Sequence, residues 1–85
     1  MDDIAKASGV TNEERATWAR NALAVFARET WGRDLETMET GDMQCCMADL
    51  VGDLMHLCDE INVSPQKMVA SGQMHYSCET GGDNG

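Results

Sequence analysis

The feature that most limits what this chain can fold into is its shortage of large aliphatic side chains: Leu, Ile, Val and Phe together supply 13 of 85 residues. That share lies below the roughly 20% at which a strongly charged chain loses the means to bury a core. Seven Met, two Trp and four Cys return part of the missing apolar volume. A chain this short hides only about 60% of its unfolded surface and has room for one core, which excludes a multidomain enzyme. The sequence therefore describes a single small domain with a thin interior, one that a second copy of the chain or a binding target would complete.

Charge narrows the choice of partner. Fifteen acidic residues against six basic ones give a formal charge of −9, so phosphate backbones and anionic membrane surfaces repel this chain. No direct nucleic-acid contact and no membrane contact is expected. The opening MDDIAKASGV has no basic stretch followed by an apolar one, and charges interrupt every window before about 18 apolar residues accumulate, so neither a secretory signal nor a membrane span is expected. These readings place the protein in the cytosol, where Cys45, Cys46, Cys58 and Cys78 are expected as thiols. Neighbours on a helix, Cys45 and Cys46 would bridge each other only with strain, and they read as small packing residues.

Periodicity predicts three helices and no strand. Residues 1 to 10 lack a period and are broken by Ser8-Gly9, a loose lead-in whose packing contacts would be Ile4 or Val10. Thr11 followed by Glu14 makes a capping box, in which hydroxyl and carboxylate satisfy unpaired backbone N–H groups at a helix start. Ala16, Ala19, Ala22, Leu23 and Phe26 then recur at three- and four-residue spacing over residues 12 to 30, with Trp18 and Val25 on the flank. Gly32 ends that pattern. Residues 33 to 42 read as an acidic loop, longer than the usual two to eight or so of a helix connection, which favours contact with a partner. Asp42 is the expected N-cap of the second helix. In that helix Met47, Leu50, Val51, Leu54, Leu57, Cys58 and Ile61 share one arc, the expected buried seam, while Cys45, Asp49, Asp53, His56 and Glu60 share the other. Asn62 suits a left-handed C-terminus, and Ser64 with Pro65 opens a third helix over residues 65 to 78, with Met68, Val69, Gly72 and Tyr76 facing inward. Residues 80 to 85 read as a frayed tail. The expected fold is all-α: a small bundle of three helices over residues 11 to 79, completed by dimerisation.

Chemistry-bearing groupings are sparse. Structural zinc sites want close cysteine pairs, whereas Cys46 and Cys58 span three turns of one helix. His75 and Cys78 share a face and would make a site only with Cys45 or His56 packed beside them. No metal and no other cofactor is expected. Acid–base catalysis needs a carboxylate or imidazole in a desolvated pocket, and here the carboxylates fall on the polar arc, with His56 placed to pair with Asp53 or Asp59. There is no glycine-rich phosphate cradle and no Ser or Cys in a nucleophile elbow. No catalytic residue is expected, and the chain reads as a binding protein rather than an enzyme.

Two resemblances bear on this reading. LVGDLMHLCDEINVSPQKMV resembles the second half of all-α nucleotide pyrophosphohydrolases, helical enzymes whose paired acidic motifs hold magnesium over a phosphate chain. Asp53 matches the closing acid of the family's E-x-x-D motif, but Leu50 stands where the Glu belongs, and Glu13 and Glu14 sit at a helix cap rather than in the upstream motif. The resemblance implies a helical hairpin more than an activity, with residual nucleotide or metal binding as one alternative function and a plain helical scaffold as the other. The stretches TWARNALAVFARET, ADLVGDLMHLCDEINVSPQKM and MHYSCE resemble small acidic helical proteins encoded by phages and mobile elements. That likeness implies a host-cytosol setting and a class in which defence inhibitors, anti-CRISPR proteins among them, act by binding.

The row Asp49, Asp53 and Glu60 gives such a role a physical basis. Carboxylates four residues apart on a helix sit about 6 Å apart along its axis, a row able to occupy a Lys/Arg groove built for phosphates. Asp59, Glu36, Glu39 and Asp42 would extend it, with Trp31, Met38 and Met43 as apolar contacts. The expected partner is a protein with a basic surface. Acid excess also keeps a Met-rich domain in solution, and that use alone would account for it.

Overall fold

The computed structural model describes residues 9–81. The expectations for the lead-in before Gly9, Ile4 included, and for the tail beyond Gly81 lie outside the described residues. Three helices and no strand are present among those described: α1 (Asn12–Thr30), α2 (Thr40–Glu60) and α3 (Pro65–Glu79), with a 3-10 turn at Leu35–Thr37 between α1 and α2.

Local chemistry sets most boundaries where the sequence places them. The Glu14 N–H donates to Thr11 Oγ1 at 3.0 Å while the Thr11 N–H donates to the Glu14 carboxylate at 2.9 Å, so the capping box closes in both directions. Gly32 turns the chain out of α1 with φ of 66°. At the end of α2, Asn62 takes φ of 64°, the Val63 N–H reaches the Cys58 carbonyl at 2.8 Å and the Asn62 N–H the Asp59 carbonyl at 3.3 Å, which is a Schellman close with Asn in the left-handed position. Ser64 then caps α3 by accepting from the Lys67 N–H at 3.2 Å, with Pro65 at the first helical position. One boundary differs. α2 begins at Thr40 with Glu39 as its N-cap, because Asp42, the expected cap, is drawn into the first turn by Arg33, whose Nη1 lies 3.2 Å from its carboxylate.

The core sits where the C-terminal half of α1 crosses the N-terminal half of α2. Leu23, Ala27, Leu35, Met38 and Cys46 are buried there, with Ala24, Phe26, Trp31, Met43 and Leu50 packed around them. Ala27 and Cys46 are fully buried, and their small volume lets the two helices approach closely. The 3-10 turn folds Leu35 and Met38 over this crossing, the Met38 N–H closing it on the Leu35 carbonyl at 3.0 Å. Farther along, Cys58 is buried in the half of α2 that meets α3. The end of α3 returns to the start of α1: Asn12 Nδ2 donates to the Glu79 carbonyl at 3.1 Å, and Arg15 Nε lies 3.2 Å from the Glu79 carboxylate.

Much of the expected seam is therefore open. Of its seven residues only Cys58 is buried and Leu50 half-buried; Met47, Val51, Leu54, Leu57 and Ile61 remain 41–59% exposed. The physical reason is that α1 and α3 each reach α2 at one place, α1 near Cys46 and Leu50 and α3 near Cys58, which leaves the rest of the apolar arc, Met47 and Ile61 at its ends included, to solvent. Gly72, placed by the sequence on the inward face of α3, is open instead: a Cβ there would meet nothing within 4 Å.

Stability should answer to the crossing. Leu23→Ala is expected to lower the unfolding free energy by about 2–5 kcal/mol in urea melts, whereas Gly72→Ala, in an open helical position, should raise it by about 0.5–1 kcal/mol. Equal melting of Leu23→Ala and the parent chain would place the core elsewhere.

Candidate functional site

α2 carries five acidic residues and no Lys or Arg. Asp42, Asp49, Asp53 and Glu60 recur at seven, four and seven residues, which returns each to the same arc of the helix. Asp49, Asp53 and Glu60 are exposed and Asp42 is half-buried. The expected row is thus one face of one rigid element.

The members differ in what holds them. Asp49 accepts from the Trp31 indole N–H at 3.0 Å, which pins one end of the row to the end of α1. Asp42 is paired with Arg33, whose Nη2 also donates to the Thr37 carbonyl at 3.0 Å; this bridge ties the 3-10 turn to the first turn of α2. Asp53 and Glu60 form no ion pair with the described residues, and they border a shallow depression with His56, Leu57 and Asp59. Asp59 lies off the row, on the arc that turns toward the start of α3 beside Pro65 and Gln66. Glu36, in the 3-10 turn, and Glu39, before α2, are both exposed.

The apolar contacts proposed for this surface are reassigned in part. Met38 is buried in the core, not offered to a partner, because the 3-10 turn carries it inward. Trp31 is half-buried with its ring against the core, so it presents only part of its surface. Trp18, exposed on α1, is the larger open aromatic.

The cationic side of the balance was hard to foresee. Arg28 Nε and Nη2 both lie 2.9 Å from Asp34 Oδ1, Arg33 is held by Asp42, and Arg15 by Glu79. Three of the six basic residues are thereby paired, one of them with Asp42 itself, which leaves Asp49, Asp53, Asp59 and Glu60 without an ion-pair partner among the described residues. The signal was faint: Arg28 and Asp34 are six apart and separated by the helix end, so no periodicity marks them.

All four cysteines are free, Cys45 and Cys78 exposed, Cys46 and Cys58 buried. Burial, and secondarily the Asp49 carboxylate, pushes the Cys46 thiol above its ordinary value. Among the described residues no group of three His, Cys, Asp or Glu side chains is placed to hold a metal ion, and no helix is long and apolar enough to cross a membrane.

No family model, no curated protein sequence and no solved structure matches this chain.

The thiols offer a direct check of the fold. Native alkylation followed by peptide mass mapping should modify Cys45 and Cys78 rapidly and Cys46 and Cys58 only as the chain opens. The raised Cys46 value contributes stability that is fully present below the ordinary thiol value of 9.0 and is lost as pH rises through the folded value. Replacing Cys46 with Ala should remove that alkaline component of the melting curve; an unchanged pH profile would contradict it.

Proposed function

We propose that this chain is a non-enzymatic binding protein of phage or mobile-element type that inhibits a host nucleic-acid-handling complex by occluding one of its basic surfaces. The observation that carries the reading is the acid row of α2: Asp49, Asp53 and Glu60 on one exposed arc, without an ion pair to the described residues, and no Lys or Arg anywhere on that helix, Arg33 reaching only Asp42 at its start. A rigid helix presents such carboxylates with little ordering cost on binding, and a Lys/Arg groove shaped for phosphates offers the matching field. Duplex DNA carries one charge per about 1.7 Å of axis, far denser than this row, so occlusion rather than faithful imitation is the mode. The anti-CRISPR class suggested by the sequence resemblance acts in the same way, and the cytosol is the compartment that suits it.

The test is affinity capture from nuclease-treated host extract, parent chain against Asp53→Lys with Glu60→Lys. Those two positions hold no hydrogen bond to the described residues, so helicity should survive. The parent should retain one basic nucleic-acid-handling protein that elutes with salt, and the double variant should lose it by about tenfold or more in affinity. Retention of the same protein by both chains would show that the acids only keep the domain dissolved. Calorimetric titration with a nucleoside triphosphate and magnesium should be silent; binding there would favour the pyrophosphohydrolase-like reading instead.

A further inference from the structure

The apolar arc that the fold leaves open on α2 is a different surface from the acid row, and its residue pattern names its occupant. Met47, Val51, Leu54, Cys58 and Ile61 follow one another at steps of four, three, four and three, the repeat that keeps one stripe facing a second helix. Cys58 is buried within its own chain, but the other four are exposed. Toward the start of α2 the stripe runs into a hollow of about 350 Å³ between α1 and α2, walled on the α1 side by Ala16 and Ala19 and on the α2 side by Met47 and Val51. Ala16 and Ala19 leave width for an incoming helix, with Arg20 and Leu23 completing the same wall.

We propose that this face docks a second copy of the same chain, the α2 stripe of each protomer lying along the hollow of the other in a two-fold arrangement. Three observations select that occupant. The positions that flank the stripe, Ala48, Leu50, Met55 and Leu57, carry no charge, and flanking positions are where like charges would block self-pairing. Four of the five acids of α2 fall on the far arc and the fifth, Asp59, lies off toward α3, so two chains of −9 meet with least repulsion on this face. A basic partner would find no carboxylate here to read.

The open residues are contiguous: Met47 and Val51 belong both to the stripe and to the lining of the hollow, and a contiguous apolar patch, unlike scattered side chains, is what an interaction site presents. An isologous contact counts the patch on both protomers and lets the thin cores of two chains share one interior. The dimer would also carry its two acid rows outward, so self-association stands independently of the basic target and leaves that surface free.

Sedimentation equilibrium of the full chain tests this directly. A contact between two acidic chains through apolar residues should tighten with salt, the dissociation constant falling by about tenfold between about 0.01 M and about 1 M as the Debye length shortens from about 30 Å to about 3 Å. Val51→Glu with Leu54→Glu should yield a monomer of unchanged helicity, since both side chains are exposed in the isolated chain. Ala22→Glu with Val25→Glu, equal in added charge but on exposed α1 positions outside the hollow, should remain dimeric. A parent chain that is monomeric at every salt, a dimer that loosens with salt, or a dimer that survives the stripe variant each overturns the proposal. Should the stripe variant lose helicity, the parent chain decides: a melting temperature that rises with protein concentration supports the dimer, and one independent of concentration overturns it.

Discussion

The structure depends on one close crossing, where Ala27 of α1 meets the level of Cys46 in α2 with no solvent access to either. A chain poor in large aliphatics cannot fill a wide interior, so it brings two helices together through small side chains and then caps the crossing with Leu35 and Met38 from a short turn. Close packing at one point is what such a composition can achieve. The consequence is geometric: helices that touch closely at one crossing diverge away from it, and α2, long enough for about six turns, cannot be covered along its whole length by neighbours that each reach one half.

That consequence explains which parts of the fold could be read in advance. Helix ends are decided by groups within a few residues of each other, so Thr11 with Glu14, Asn62, and Ser64 with Pro65 announced their structures. Polar faces were equally legible, because Asp49, Asp53 and Glu60 have to leave the interior whichever neighbour α2 chooses. The burial of apolar residues was not. A wheel identifies an apolar arc but not how much of it the remaining chain can cover, and Leu54 and Cys58, alike on that arc, end in opposite environments. Ala27 escaped notice for a related reason: its importance lies in its small size at a crossing, a tertiary fact with no period of its own. The turn that buries Met38 and the pairing of Arg33 with Asp42 likewise belong to the way α1 hands the chain to α2.

The functional reading follows from the same division of surfaces. α2 offers carboxylates on one arc and bare apolar side chains on another, and the fold consumes neither completely. Attributing the first to a cationic target and the second to a second copy assigns each surface the partner its chemistry can attract, since carboxylates repel their like and aliphatics hold no field for a basic groove. Solubility alone would explain a net charge of −9, but it would not require the acids to vacate one side of a helix so thoroughly.

The most direct measurement of the shared claim, that the open arc of α2 is covered by another chain, is an isotope-filtered nuclear Overhauser experiment on a sample mixed from labelled and unlabelled protein. Contacts between protomers are predicted for the side chains of Met47, Val51, Leu54 and Ile61, and none for Val25. An absence of intermolecular contacts at those four residues, or their appearance at Val25 instead, would contradict the account.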